Sequence, residues 1–506
     1  MSDDREIDNL LDRLLADVPH RAPDRLLDRT LEIVARTPQR RAFAAPWQRR
    51  LVALPVRLAL AAAVIVVVAV GGLIIASRSS TSVVGGSVAP LPIGRGAGDT
   101  ANLQGALDAC VPGGPSCIVQ LRAGTYLTRQ LVANGFHGTI IGAGQNKTII
   151  QALPGYVVGS NVWTEPASPS NPWPYIMTFA RDSDVMMADL TLRATEYNPA
   201  QQWNDSYSSG GTPVATPVTW LEGAVFVEGS GRFFRVSFEG AAGTGGGLDT
   251  VASGTAGTDL DSGVRVDEAS APAGVFEMTG CRAQNIGNAF VLTHFTGRAT
   301  IGGSPATGNT FVNADGGEYF DLDGATIQES YNSVQADATS GGFWADWFGN
   351  DTAASHPSTV VLTNNTIAVN GKNFSGIGVL LNYNAAPSTP RDTMLHLTVA
   401  HNTVTIGGDG TDYAIYAQDT TEIVISDNTI SGAGTDGIHL KDSVDSTVSA
   451  NNLTNFAIGY SVGTSPRAKI VLEAGVTHAR VTCASPSDTV LDQGTSNRVT
   501  GCTTAP

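Results

Sequence analysis

The sequence predicts an all-β solenoid, and three observations predict it. The first is internal repetition. The stretch Tyr413–Asn455 matches itself when slid by 23 residues, so that Ile415 falls on Ile438, Ala417 on Leu440, Asp419 on Asp442, Ile425 on Val448 and Asn428 on Asn451. A fixed period of this length marks stacked units, none of which can bury its apolar side alone. The second is a recurring phrase. An Asn followed by Thr or Ser and then an apolar residue begins at Asn309, Asn332, Asn365, Asn402 and Asn428, at steps of 23, 33, 37 and 26 residues. The short steps fit one coil, and the long ones fit a coil carrying a loop. The third is patterning: short alternating apolar runs lie between Gly, Asp, Asn and Ser, which is the pattern of strands joined by turns. The repeated Asn residues are expected at corners with left-handed backbone, their amides bonding along the stack.

Three further stretches carry a resemblance. Gly98–Cys110 (GDTANLQGALDAC), Leu121–Thr128 (LRAGTYLT) and Gly138–Ile150 (GTIIGAGQNKTII) resemble the opening of the pectate-lyase-like superfamily. That likeness, over Gly98–Cys502, implies a right-handed parallel β-helix with an N-terminal capping helix. It speaks to fold more than to activity, because one fold hosts many functions.

Taken in order, the chain opens with residues 1–50, which hold 10 Arg, 9 acidic residues and no Lys. Leu10, Leu11, Leu14 and Leu15, then Leu26, Leu27, Leu31 and Val34, recur at helical spacing. Pro19 and Pro23 divide them into two short amphipathic helices. This segment is expected in the cytoplasm, where it can dock a partner. Residues 51–76 are expected to form one transmembrane helix. Leu58–Ala76 is 19 residues without a charge, long enough to cross the hydrocarbon core. The flanking arginines place residue 1 inside and the large domain outside. More than fifty residues precede the apolar run and no clear cleavage site follows it, which favours an uncleaved anchor over a signal peptide. Residues 77–97 are rich in Ser, Gly and Pro and read as a linker.

Residues 98–506 form the extracellular domain. Leu103, Ala106, Leu107 and Cys110 share one face of a helix, with Asp99 as its cap, and such a helix can cover the open end of a solenoid. Outside the cell, Cys110 with Cys117 and Cys483 with Cys502 can form two disulfides, one at each end, leaving Cys281 packed in a coil. The five cysteines lack metal-ligand spacing. The segments Trp163–Tyr175 and Tyr197–Trp220 are long and rich in Pro, Trp, Tyr, Ser and Asn. They are expected to build one wall of a groove. Gly240–Ser262 is a Gly-rich insertion with Asp249, Asp259 and Asp261.

Alternation assigns inner and outer residues. In Gly437–Lys441, Ile438 and Leu440 go in, so His439 and Lys441 go out, with Tyr416 and Gln418 one coil earlier. The same phase puts Tyr319, Asp321 and Asp323 outside with Phe320 and Leu322 inside. It puts Trp344 and Asp346 outside with Phe343 and Ala345 inside, and Arg265 and Asp267 outside with Val264 and Val266 inside. Stacked about 4.8 Å apart, these residues form an acidic and aromatic ladder on one sheet. Asp321, Asp323, Asp346, Arg265 and Asp267 are the candidate catalytic residues. Tyr319, Trp344, Tyr416, His439 and Lys441 are the candidate substrate-binding ones.

Carboxyl pairs about 5 to 9 Å apart suit glycoside hydrolysis. Asp321, Asp323 and Asp346 also have the oxygen ligands that Ca²⁺ takes. In lyases of the resembled superfamily Ca²⁺ holds the acidic sugar while a base removes a proton. The plain reading of the same residues is that Asp beside Gly terminates strands and caps turns. The paired-Asp, Gly-His-Gly and Arg-Ile-Lys set of polygalacturonases is absent, as is the Asp-Pro-His signature of alginate epimerases. Gly142-Ala143-Gly144 has no Lys-Ser/Thr after it and reads as a turn. No nucleic-acid signature appears. The whole chain carries a net charge of −16, and the outer part is more negative still, which repels polyanions. A neutral glycan is easier to accommodate, and an acidic one needs Ca²⁺ bridging. Two functions follow: a membrane-anchored, outward-facing enzyme cleaving polysaccharide by hydrolysis or elimination, or a non-catalytic surface protein that binds glycan, adheres or serves as a stalk.

Overall fold

The computed structural model describes residues 97–505 less a set of loop segments, of which the longest are 153–163, 195–219, 241–258, 382–394 and 455–467. Residues 1–50 and 51–76, almost all of 77–97, nearly all of the 197–220 part of the expected groove wall and most of the 240–262 insertion lie outside the described residues. Within the 163–175 part, Thr164–Glu165 and Ser168–Pro172 pair as a short antiparallel hairpin. The chain divides into two compact units, Met1–Ser87 and Val88–Pro506. Among the described residues no helix is long and apolar enough to cross a membrane.

The second unit is a right-handed parallel β-helix. The central coils each give one strand to each of three faces. In one coil these are Asp315–Phe320, Thr326–Ser330 and Ser333–Asp337. In the next they are Trp344–Gly349, Ser358–Thr363 and Thr366–Asn370. Each strand pairs in parallel with its counterpart one coil on. Among the described residues the first face is a sheet of 14 strands. The second and third faces share a 22-stranded sheet. The ten-residue strands Asp184–Arg193 and Ser230–Glu239 join them by running across both.

The apolar alternation fills the interior. An aromatic spine climbs it through Phe179, Phe226, Phe233, Phe276, Phe290, Tyr319 and Phe348, with successive centroids between 4.3 and 6.0 Å. Full burial of each such ring or aliphatic side chain is worth roughly 1.5–3 kcal/mol.

The recurring Asn residues build a second axial device. Asn309, Asn332, Asn365, Asn402, Asn428 and Asn451 are all buried. The carboxamide oxygen of each of the last five accepts the backbone N–H of the Asn one coil before. The left-handed backbone is not on these Asn residues. It falls on the residue before: Tyr331, Asn364, His401, Asp427 and Ala450. The positive φ turns the chain so that the following Asn points inward along the stack. Cys281 occupies the equivalent place at the start of the ladder, its N–H donating to Asn309. It is a free, buried thiol pushed up to about 12 by burial.

The helix Ala97–Asp108 closes the N-terminal end with Leu103 and Leu107 in the core. Two polar side chains fasten it. Asp99 lies within the first turn and its Oδ2 accepts the Leu127 N–H at 3.1 Å, tying helix to coil. Gln104 donates to the Val132 carbonyl and accepts from its N–H. One amide thus stands in for the missing neighbour of an edge strand, which is how an open sheet end is protected.

Cys110 is bonded to Cys117, and Cys483 to Cys502. Closing the loop of 19 residues between the latter pair should contribute about 3 kcal/mol by restricting the unfolded chain. Replacing both Cys483 and Cys502 with Ser is expected to lower the urea midpoint accordingly. An unchanged midpoint would show that the terminal coils hold without the bond.

Candidate functional site on the first face

Register along the first face decides which residues meet. One outward column runs Arg265, Val291, Glu318, Trp347, Gly378, Tyr416, His439 and Val471. The adjacent column runs Asp267, Thr293, Phe320, Gly349, Leu380, Gln418 and Lys441. Arg265, Asp267, Tyr416, His439 and Lys441 therefore lie on one sheet face.

Three sequence assignments are corrected. Tyr319 faces inward and is fully buried. Its ring stacks on Phe348 at 4.3 Å and meets Phe290 at 5.5 Å, and its hydroxyl donates to Glu329. Adjacent aromatics left the phase open in the sequence, and ring partners in both neighbouring coils settle it. Phe320, placed inside by the sequence, lies on the outer column. Asp346 also faces inward, fully buried, because the Tyr319–Phe348 stack fixes Phe348 inside and Asp346 is two residues earlier. Trp344 begins its strand, and its side chain lies outside the described residues, as does Phe343.

The residues that do converge sit where the first face turns into the second. Asp267 ends its strand, while His294 and Asp321 each follow theirs. His294 and Asp321 both have left-handed backbone, φ 50° and 51°, which swings their side chains back toward the outer face. The His294 ring lies between two carboxylates, Nδ1 3.4 Å from Asp267 and Nε2 3.5 Å from Asp321. The carboxylates are largely enclosed, and the imidazole side chain is 37% exposed. Phe320 and Trp347 meet beside them with centroids 5.8 Å apart, both half-buried. Asn288 donates to Glu318 on the same face. The sequence reading missed His294, Phe320, Glu318 and Trp347. His294 sits one residue past its strand, where alternation stops being a guide. Trp347 was legible in the alternation of WADWFG once Phe348 was known to point inward.

Asp323 does different work. Its Oδ1 accepts the N–H groups of Ser355 and His356 and faces the His356 ring, so it holds a loop. Asp321, Asp323 and Asp346 thus point three ways. Among the described residues no group of three or more His, Cys, Asp or Glu is placed to hold a metal ion. This trio does not fit Ca²⁺.

Farther along the face, His439 is enclosed. Its Nδ1 is 3.0 Å from Asp436 and its Nε2 2.8 Å from Glu473. The Tyr413 and Tyr416 rings lie 4.9 and 5.3 Å from it. Tyr416 donates to Gln418, and burial, then the nearby Glu473, pushes its phenol up. Buried and held by two short carboxylate contacts, where His294 is 37% exposed with longer ones, His439 organises its neighbours and leaves Lys441 and Gln418 as the more exposed groups of this part.

Comparisons with known proteins bear on these coils. Residues 349–474 match the family model described as periplasmic copper-binding protein (NosD). No curated protein matches the chain. The Dettilon tailspike protein (gp208) is similar at 12% identity over 80% of this chain and TM-score 0.44, and this chain spans 65% of that protein's length. The A-module of the Azotobacter vinelandii mannuronan C-5 epimerase AlgE6 is similar at 14% identity, covering 83% of this chain and 98% of its own, with TM-score 0.36. PfbA, a surface adhesin of Streptococcus pneumoniae, is similar at 12% identity over 74% of this chain and 91% of its own, with TM-score 0.31. His356, His396 and His439 fall within the family-matched span, and each lies against a carboxylate.

Proposed function

We propose that the outer side of the first face binds polysaccharide and cleaves it by hydrolysis at His294, with Asp267 and Asp321 beside it. The observation that carries this reading is the acid–imidazole–acid row on three successive coils, next to a half-buried aromatic pair. An imidazolium between two carboxylates can donate from both nitrogens. It can therefore surrender one proton to a departing sugar oxygen while the other N–H stays held by a carboxylate. The glycosidic C–O bond breaks as that proton arrives. A water oxygen bonds to the sugar carbon and its proton passes to Asp267, the less enclosed carboxylate. Asp321 orients the ring, and the proton returns from Asp267 to His294 through the same contact. Phe320 and Trp347 offer an apolar platform for a sugar ring. The strongly negative chain favours a neutral glycan.

The domain would act outside the cell, where its two disulfides persist, tethered by residues 51–76 with residues 1–50 facing a cytoplasmic partner. Truncating Trp347 to Ala is expected to weaken glycan binding about tenfold, on the order of 1–2 kcal/mol for one aromatic platform. Isothermal titration measures this, and equal affinity for both proteins would remove Trp347 from the binding surface. Incubating the full-length chain with a glycan panel and following new reducing ends tests the reading itself. Binding without turnover would favour the non-catalytic alternative.

A further inference from the structure

Two interior columns of the solenoid are interrupted by acids in adjacent coils. One column reads Ile301, Glu329, Leu362, Val399 and Ile425. The other reads Asp346, Ile377, Ile415, Ile438 and Ile470. Every neighbour of these acids along the stack from Leu362 and Ile377 onward is aliphatic, so a carboxyl here costs core stability. Glu329 and Asp346 are each 0% exposed.

The groups facing them come from the strand Asp315–Phe320 and from the corner at Asn332. The Tyr319 hydroxyl donates to Glu329 Oε2 at 2.5 Å, and the Asn332 amide donates to Oε1 at 3.2 Å. The Gly317 N–H donates to Asp346 Oδ1 at 2.8 Å, and Asp346 Oδ2 has no hydrogen-bond partner. Asp315, 1% exposed, adds a third carboxyl at the start of the Asp315–Phe320 strand. None of the hydrogen-bond partners of Glu329 and Asp346 is a cation. The cluster lies directly beneath the candidate site, because Tyr319 precedes Phe320 and Asp321, and Asp346 precedes Trp347.

We propose that this buried carboxyl cluster is a pH-set latch. Protonated, it packs the strands Asp315–Phe320 and Trp344–Gly349 firmly; deprotonated, it loosens the two coils that present Phe320, Asp321 and Trp347. Two charges in a dry interior with no cation must separate or draw in water, and these two strands carry the groups that would move. Burial raises Glu329 to about 7, against the opposing hydrogen bonds from Tyr319 and Asn332. Burial, then repulsion from Glu329, raises Asp346 well above the ordinary carboxylate value. Because the folded values are raised, the stability they confer is full below the ordinary carboxylate range. It is lost as pH rises through about 7. The inference needs no glycan and stands apart from the proposed function.

Amide hydrogen exchange on the full-length chain at several pH values between 5 and 8.5, corrected for intrinsic exchange, tests it. Peptides covering 315–320 and 344–349 are expected to lose about 10²-fold protection over that range, while 413–418 holds steady. Glu329→Gln, which keeps an acceptor for Tyr319, together with Asp346→Asn, is expected to flatten the response. A wild-type profile equal in all three segments would overturn the proposal, whatever the variants do. So would an unaltered pH response in the folded double variant.

Discussion

His294→Asn is expected to lower kcat/KM on the cleaved glycan by 10²- to 10⁴-fold, the range spanned by loss of a general acid. Asp267→Asn should fall in the same range, because it removes the group that receives the proton of water. The thermal midpoint of each variant should stay close to that of the parent, since His294 is 37% exposed and its carboxylate contacts are long, 3.4 and 3.5 Å. Asp321→Asn tests positioning. Asn can still accept from the ring but cannot match the charge, so its effect should be smaller and fall on kcat more than KM. Asp323→Asn separates this account from the acidic ladder of the sequence. Its carboxylate holds the Ser355–His356 loop, so turnover should persist while the loop loosens. Loss of activity in the Asp323 variant with full activity in the His294 variant would move the site elsewhere.

The second large effect concerns the fold. Asn428→Ala should destabilise the domain by about 4 kcal/mol, because it leaves several buried polar groups without partners at about 1–3 kcal/mol each. Those groups are the Asn402 backbone N–H, the second bond of the Asn402 amide and the Val399 carbonyl. The next residue provides the control. Thr429 is exposed on the third face, and Thr429→Ala should change stability by no more than about 0.5 kcal/mol. Chemical denaturation of both variants measures the contrast. Similar midpoints would mean that the ladder orders the corners without contributing to stability.

How far the sequence led can be seen in these same residues. The coil period, the Asn phrase and the inner positions of Ile415, Ile425, Ile438 and Leu440 were legible because each repeats at a constant offset and each inner residue is aliphatic. The outer placement of Arg265, Asp267, His439 and Lys441 followed directly. Alternation misled where the inner residue is polar or aromatic. Tyr319 looks like an exposed platform until Phe290 and Phe348 are seen above and below it. Asp346 looks like a surface acid until Phe348 sets its phase. His294 and Asp321 lie at corners where positive φ decides direction, and period-two patterning says nothing there. Buried acids in an aliphatic column cannot be read from hydrophobic pattern at all, since the pattern assumes that charge faces water.

The most direct test of the central claim is an end-product assay with the full-length chain and its His294→Asn variant. Both would be incubated with neutral and acidic polysaccharides, with Ca²⁺ and with chelator, following reducing ends and ultraviolet absorbance together. The account predicts new reducing ends from a neutral glycan with the parent chain, no absorbance gain, indifference to chelator, and loss of the signal in the variant. Equal turnover by the variant, or unsaturated products that vanish with chelator, would contradict it.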